Sequence, residues 1–236
     1  MTESLPDTPI PTRTLARLTG LLYLVIIVCA GFSEGVVRSG LVVAGDAAAT
    51  AENILASQGL FRLGLVMDLV AFLADAAVAV LLYLLLKPVS RTVSLMAAAF
   101  RLVAHPAIGG INLVNHFGAL LLLTGEGTLA AFDPGQREAL ALLAMDAHGY
   151  GYLIAGAFFG VHLALLGYLL FRSERFPRVL GVLVGAAAVG YLVESFTIFL
   201  LPQYTALATG LVVATAVMGE VSLCLWLLVR GVRRPG

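Results

Sequence analysis

Residues 63–86 read LGLVMDLVAFLADAAVAVLLYLLL, an apolar run between Arg62 and Lys87 in which Asp68 and Asp75 are the only charges. About 20 apolar residues suffice for a helix to cross a hydrocarbon core of about 30 Å. Strands of a membrane barrel would alternate apolar and polar residues, and this run does not. Pro88 stops the helix, because proline cannot continue it from that position. Outward in both directions the pattern repeats. A first span covers roughly Leu18–Val37, between Arg17 and Arg38. A third runs from near Thr92 to near Leu123, a fourth over Tyr150–Phe171, a fifth between Pro177 and Pro202, and a sixth over Ala206–Val229.

Composition agrees with this reading. Of 236 residues 60% are hydrophobic and 12% charged, with a mean hydropathy of +1.00, against about 45–50% apolar and about 25% charged in soluble domains. Such a chain cannot build a polar exterior, and disorder, coiled coil, collagen and disulfide scaffolds are excluded by the same figures. The formal net charge of +0 offers no footprint for nucleic acid. The implied fold class is all-α, an integral membrane bundle of six transmembrane helices whose partner is the lipid bilayer.

Lys and Arg in the short connections set the orientation. Arg13 and Arg17, Lys87 and Arg91, Arg172, Arg175 and Arg178, and Arg230, Arg233 and Arg234 fall on one side; Arg38, Arg62 and Arg137 fall on the other. Ten against three puts both termini in the cytoplasm. Residues 1–16 then form a cytoplasmic tail, 17–231 the six-helix domain and 232–236 a second tail. Val28 and Ala30 resemble a signal cleavage site, but the long tail with Glu3, Asp7 and several prolines argues for an uncleaved first span. Cys29 and Cys224 lie within spans and read as buried thiols.

Two short interfacial helices are expected on the outer side. Asp46 can cap one over 47–57, closed by Gly59. Asp133-Pro134-Gly135-Gln136 has the acid, proline and glutamine of a helix start and opens another through Leu140–Met145. They either orient the next span or form a lid over a cavity. The pairs Gly31/Gly35, Gly156/Gly160 and Gly181/Gly185 are expected to let helices approach closely. Tyr83 and Tyr168 sit in similar Leu-rich span ends, a weak sign of duplicated hairpins.

Polar groups within the bilayer are the candidate site. A charge at the bilayer centre costs at least ~2.5–3.5 kcal/mol, so it faces the bundle interior and finds a partner. At about 1.5 Å per residue, Asp75, Arg101, His162 and Glu220 all lie near the midplane. Asp75 and Arg101 are expected to pair, with His162 and Glu220 joining by hydrogen bonds. Such a group can bind a ligand or conduct protons, or only fix which helix faces which. A second set lies nearer the outer face: Asp68, Asn112, Asn115, His116, Asp146, His148, Tyr191, Glu194, Ser195 and Thr197. Together they could line one vestibule, although loop solvation explains His116 and Asp146 as well. His105-Pro106 near mid-membrane, followed by Gly109-Gly110, predicts a kink that frees the carbonyl of Leu102. A broken helix beside ionisable groups marks transporter binding sites; a helix fitting its length to the bilayer is the competing account.

No H-E-x-x-H, C-x-x-C, G-x-S-x-G or P-loop lysine motif occurs. No metal or cofactor is therefore expected and no catalytic residue is assigned, although a site assembled across spans from Asp68, His148, His162 and Glu194 stays open. The stretches 45–54, 60–64 with Asp68, 82–90, 99–102, His148-Gly149-Tyr150-Gly151, 159–163 and 177–191 carry a resemblance over about residues 12–230. They resemble the bacterial multi-pass membrane family catalogued as domain of unknown function 4386. The resemblance implies an all-helical protein of the bacterial cell (inner) membrane, carries over no catalytic role, and matches Asp68, Arg101, His148 and His162 to polar positions of the family. The expectation is a non-enzymatic membrane protein that binds or transports a small molecule or ion. Its candidate binding residues are Asp75, Arg101, His162, Glu220, Asp68, Asn112, His148 and Glu194. An intramembrane hydrolase or transferase acting on lipid and a non-catalytic membrane subunit are the alternatives.

Overall fold

Charges and prolines that interrupt the apolar runs also end the helices. In the computed structural model, which describes residues 12–232, six helices are long and apolar enough to cross a membrane: Thr12–Leu41, Gln58–Leu86, Arg91–Thr124, Pro134–Arg172, Arg178–Leu200 and Pro202–Val229. No strand occurs among the described residues. Ser90 caps the third span by accepting from the Val93 amide at 3.4 Å. Gly125 closes the same span with φ of 64°, a left-handed turn that glycine enters without steric cost.

Consecutive spans pack side by side, and the sixth returns against the first, so the six form a closed ring. Val232 packs into the same apolar cluster as Leu15 and Ala16, so the two ends of the described chain lie together on what we call the terminal face. That cluster fills the terminal half of the ring, with Leu85, Leu166, Leu169 and Leu223 fully shielded. A second cluster at the far face joins Val37, Ile54, Phe61, Leu120 and Met145. The periphery is apolar too: Ile111, Leu207, Leu200 and Val114 are each more than 70% exposed. Side chains of this kind around the whole ring fit lipid tails rather than water. The protein is a multi-pass membrane protein.

The helix after Asp46 spans Ala47–Ala56, and the Asp46 side chain accepts from the Ala49 amide at 2.9 Å. The start at Asp133 is a reciprocal cap: the Gln136 amide donates to Asp133 at 2.9 Å, and the Asp133 amide donates to the Gln136 side chain at 3.2 Å. The second expectation for the outer side needs correction, however. The helix that Asp133 opens does not end before the fourth span but is its first turns, one unbroken helix of 39 residues. Nothing between Gln136 and Tyr150 forces a stop, since the glycine at 149 alone does not break a helix supported by packing.

Three further differences concern the spans. The first continues past Arg38 to Leu41, so Arg38 belongs inside the bundle rather than at its edge. Pro106 does not end the third span; residues Val103–Gly109 form a π-helical turn around it, and the helix runs on to Thr124. Of the glycine pairs, Gly31 and Gly35 have no neighbour at all within 4 Å of where a Cβ would stand, so they mediate no packing. Gly181 is the opposite case, its Cβ position lying 2.6 Å from the Phe171 amide nitrogen and 2.7 Å from the Gly167 carbonyl. The fourth and fifth spans therefore touch backbone to backbone. Glu3, Asp7, Arg233 and Arg234 lie outside the described residues.

Candidate functional site

The midplane charges meet as their depths require. Arg101 donates from Nη2 to Asp75 Oδ1 at 2.5 Å, both residues being shielded to within 1%. Its other terminal nitrogen lies 3.0 Å from His162 Nε2. His162 Nδ1 stands 2.8 Å from the Ala97 carbonyl. A carbonyl only accepts, so Nδ1 carries the proton and Nε2 offers its lone pair to the guanidinium. The guanidinium also lies over the rings of Tyr23 and Phe159, at 4.8 and 5.1 Å. Asp75 Oδ2 has no hydrogen-bond partner; His105, carried on the π turn of the third span, brings Nδ1 to 3.4 Å. Glu220 joins through tyrosines rather than directly: the hydroxyls of Tyr23 and Tyr191 each donate to it at 2.9 Å.

Toward the far face a second polar layer forms around Asp68. Arg38 donates from Nη1 to Asp68 Oδ2 at 2.5 Å and from Nε to Glu34 at 2.7 Å, and its guanidinium lies 5.2 Å from the centre of the Tyr152 ring. Asn112 donates to the His148 carbonyl at 2.7 Å, and His148 Nδ1 faces the Asn112 carbonyl at 3.1 Å, a reciprocal clamp between the third and fourth spans. Asn115 donates to the Asn112 side chain. His116 Nε2 faces the Phe61 carbonyl at 3.0 Å. By the same acceptor argument, His148 carries its proton on Nδ1 and His116 on Nε2. The remaining nitrogens, Nε2 of His148 and Nδ1 of His116, are buried without a hydrogen-bond partner, as is Asp68 Oδ1. One ligand-capable atom from each of Asp68, His116 and His148 lies within 4.8 Å of the others.

Between the layers lies a cavity of about 680 Å³ with walls from all six spans. Its polar lining consists of Glu34, Arg38 and Ser39, Asp75, Arg101 and His105, His148 and Tyr152, Tyr191 and Glu194, and Glu220. It reaches the surface beside Glu34, whose side chain is 70% exposed. Three of its walls are locally π-helical, at Ser33–Arg38, Val103–Gly109 and Val217–Val221. These turns carry Glu34 and Arg38, His105, and Glu220. Single π turns concentrate at functional sites because they re-aim side chains that a regular helix would point elsewhere.

Of the residues singled out from the sequence, Asp75, Arg101 and His162 form one connected group, with Glu220 reached through tyrosine. Asp68, Asn112, His116 and His148 form the other. Glu194 is half-buried on the cavity wall, apart from both. His162 and Glu194 do not join Asp68 and His148 in one assembled site; His116 takes that place. Asp146 is exposed. Sequence reasoning passed over Arg38, Glu34, Tyr23 and Tyr152. Arg38 had a signal, since a span drawn to the usual length of a tilted helix would have taken it inside, opposite Asp68. The tyrosines had none, being ordinary members of apolar runs.

The sequence model of the family described as Domain of unknown function (DUF4386) matches residues 18–231. An uncharacterized protein of Archaeoglobus fulgidus is 32% identical over 161 residues, covering 66% of this chain and 76% of that protein. The resemblance implied a bacterial protein; this relative is archaeal. No solved structure matches.

Proposed function

The chain belongs to the DUF4386 family, and from that premise we propose that it binds a small positively charged organic solute, an amine or ammonium compound, in the cavity between its spans. The solute enters from the face opposite the termini, which the Lys and Arg distribution assigns to the outside of the cell membrane. The observation that carries this reading is the charge of the cavity wall. Glu34, Asp75, Glu194 and Glu220 face it with only Arg38 and Arg101 to oppose them. Arg101 is taken by Asp75, and Arg38 is shared between Glu34 and Asp68. Glu194 and Glu220 form no ion pair among the described residues. A carboxylate on a wall shared with the rings of Tyr191 and Phe159 suits an ammonium group, which gains both the charge and the aromatic faces. The three π turns, each bearing a polar wall residue, favour passage of the solute across the membrane over simple retention.

Thermal unfolding of the purified chain in detergent, against a panel of small amines, zwitterions and organic acids, tests this. Amines are expected to raise the midpoint, because a ligand that binds only the folded state stabilises it. Glu220→Gln should weaken that response by at least about tenfold in concentration, the loss expected when a charge-assisted contact worth about 1.5–3 kcal/mol goes. Stabilisation by organic acids in place of amines would overturn the reading, as would an unaltered response in Glu220→Gln.

A further inference from the structure

We propose that Asp68, His116 and His148 are the ligands of one divalent transition-metal ion of the zinc class, held on the far side of the cavity wall. Each residue comes from a different span, the second, third and fourth, and all three are buried. Buried polar atoms almost always find partners, yet each of these three residues leaves one atom without: Asp68 Oδ1, His116 Nδ1 and His148 Nε2. Each histidine has spent its other nitrogen on a main-chain carbonyl, Phe61 for His116 and Asn112 for His148. That is the outer-shell arrangement of metal-binding imidazoles, which fixes the ring and turns the lone pair of the free nitrogen toward the ion. Asp68 is oriented in the same way, with Oδ2 engaged by Arg38 and Oδ1 left over.

The spacing fits. A tetrahedral ion with bonds of about 2.0–2.2 Å holds its ligand atoms roughly 3.4 Å apart. The donor groups here lie within 4.8 Å of one another, so any gap closes by no more than about 1.4 Å, shared between two side chains. The charge fits as well. Asp68 supplies the one carboxylate of the set, and Glu34, itself exposed, shares the Arg38 charge that Asp68 would otherwise hold alone. Two imidazoles and one carboxylate suit zinc and its neighbours rather than magnesium or calcium, whose sites are built of oxygens. Three protein ligands leave a fourth position, beside which the Tyr152 ring stands edge-on to His148 at 4.9 Å. Spacing rules for contiguous motifs miss the site because its donors are 48 and 32 residues apart along the chain.

The test titrates the purified, chelator-stripped full chain with Co²⁺, with Zn²⁺ as competitor. One cobalt per chain is expected, with the visible absorption of a four- or five-coordinate ion, displaced by zinc. Asp68→Asn, His116→Gln and His148→Gln should each weaken binding by at least about a hundredfold, since loss of outer-shell partners alone costs about 10–100-fold. The two glutamines keep an amide to donate to the Phe61 and Asn112 carbonyls. Glu220→Gln should keep the stoichiometry, which separates this site from the solute reading. Zinc X-ray absorption on the unmodified chain gives a measurement that no variant's folding can compromise, and two imidazoles in the first shell are expected. Absence of cobalt binding, unchanged affinity in folded ligand variants, or a shell with fewer than two imidazoles would overturn the proposal.

Discussion

Replacing Asp75 by leucine would remove the anion from a pair whose two side chains are shielded to within 1%. Arg101 would keep His162 on one nitrogen and two aromatic faces, but Nη2 would lose its acceptor and Nε already lacks one. Opposite charges 2.5 Å apart attract by roughly 6–7 kcal/mol at an effective dielectric constant of about 20. Part of that only offsets the loss of hydration that both groups have undergone, and measured losses on breaking one side of a buried pair are about 3–5 kcal/mol. The ratio of folded to unfolded protein should therefore fall by about two to four powers of ten. Removing both charges, as Asp75→Leu with Arg101→Met, should recover most of the loss and leave the protein within about 1 kcal/mol of the parent, since a well-packed apolar pair is often neutral or better. Reversible unfolding in mixed detergent micelles, followed by the fluorescence of Trp226, the only tryptophan, measures both. A single variant costing less than about 1 kcal/mol, with no recovery in the double, would refute the idea that this pair organises the bundle.

Two other expectations concern packing and topology. Gly181→Ala should destabilise the protein by about 1–3 kcal/mol, because its methyl group would overlap the main chain of the fourth span. Gly185→Ala, one turn on with open space at its Cβ, should cost nothing or gain up to about 1 kcal/mol from helix propensity; equal effects in the same unfolding assay would contradict the close approach. Cysteine placed at Glu126 should react with a membrane-impermeant maleimide on intact cells, and cysteine at Glu174 only after lysis. Both sites are exposed, and the native Cys29 and Cys224 are buried. The reverse pattern would invert the assigned orientation.

The number of spans and most of their ends were legible because lipid imposes a length and the charges and prolines mark its limits. The Asp75–Arg101 pair was legible for the same reason: depth follows from counting residues, and two opposite charges at one depth have few other ways to be accommodated. Arg38 was misread by that very rule, since a charge was taken to end the first span, whereas Asp68 opposite lets it stay inside. The fourth span was drawn too short because Asp146 and His148 looked like loop residues; His148 is in fact clamped to Asn112, and Asp146 faces outward from a helix that continues past it. The π turns and the convergence of His116 with Asp68 depend on how helices rotate against one another. Sequence spacing within one helix does not carry that information.

The unbroken fourth helix has a mechanical consequence. Met145, His148, Tyr152, Phe159 and His162 lie on one stripe of it, so it contributes to the far-face cluster, the cavity wall and the midplane cluster alike. This helix has no wider turn along its length and meets the fifth backbone to backbone at Gly181. The compliant joints are elsewhere, in the first, third and sixth helices, where the wider turns loosen the ladder. Opening and closing of the chamber would have those three swing about a fixed post, and a load applied at either end of that post would be felt at the other.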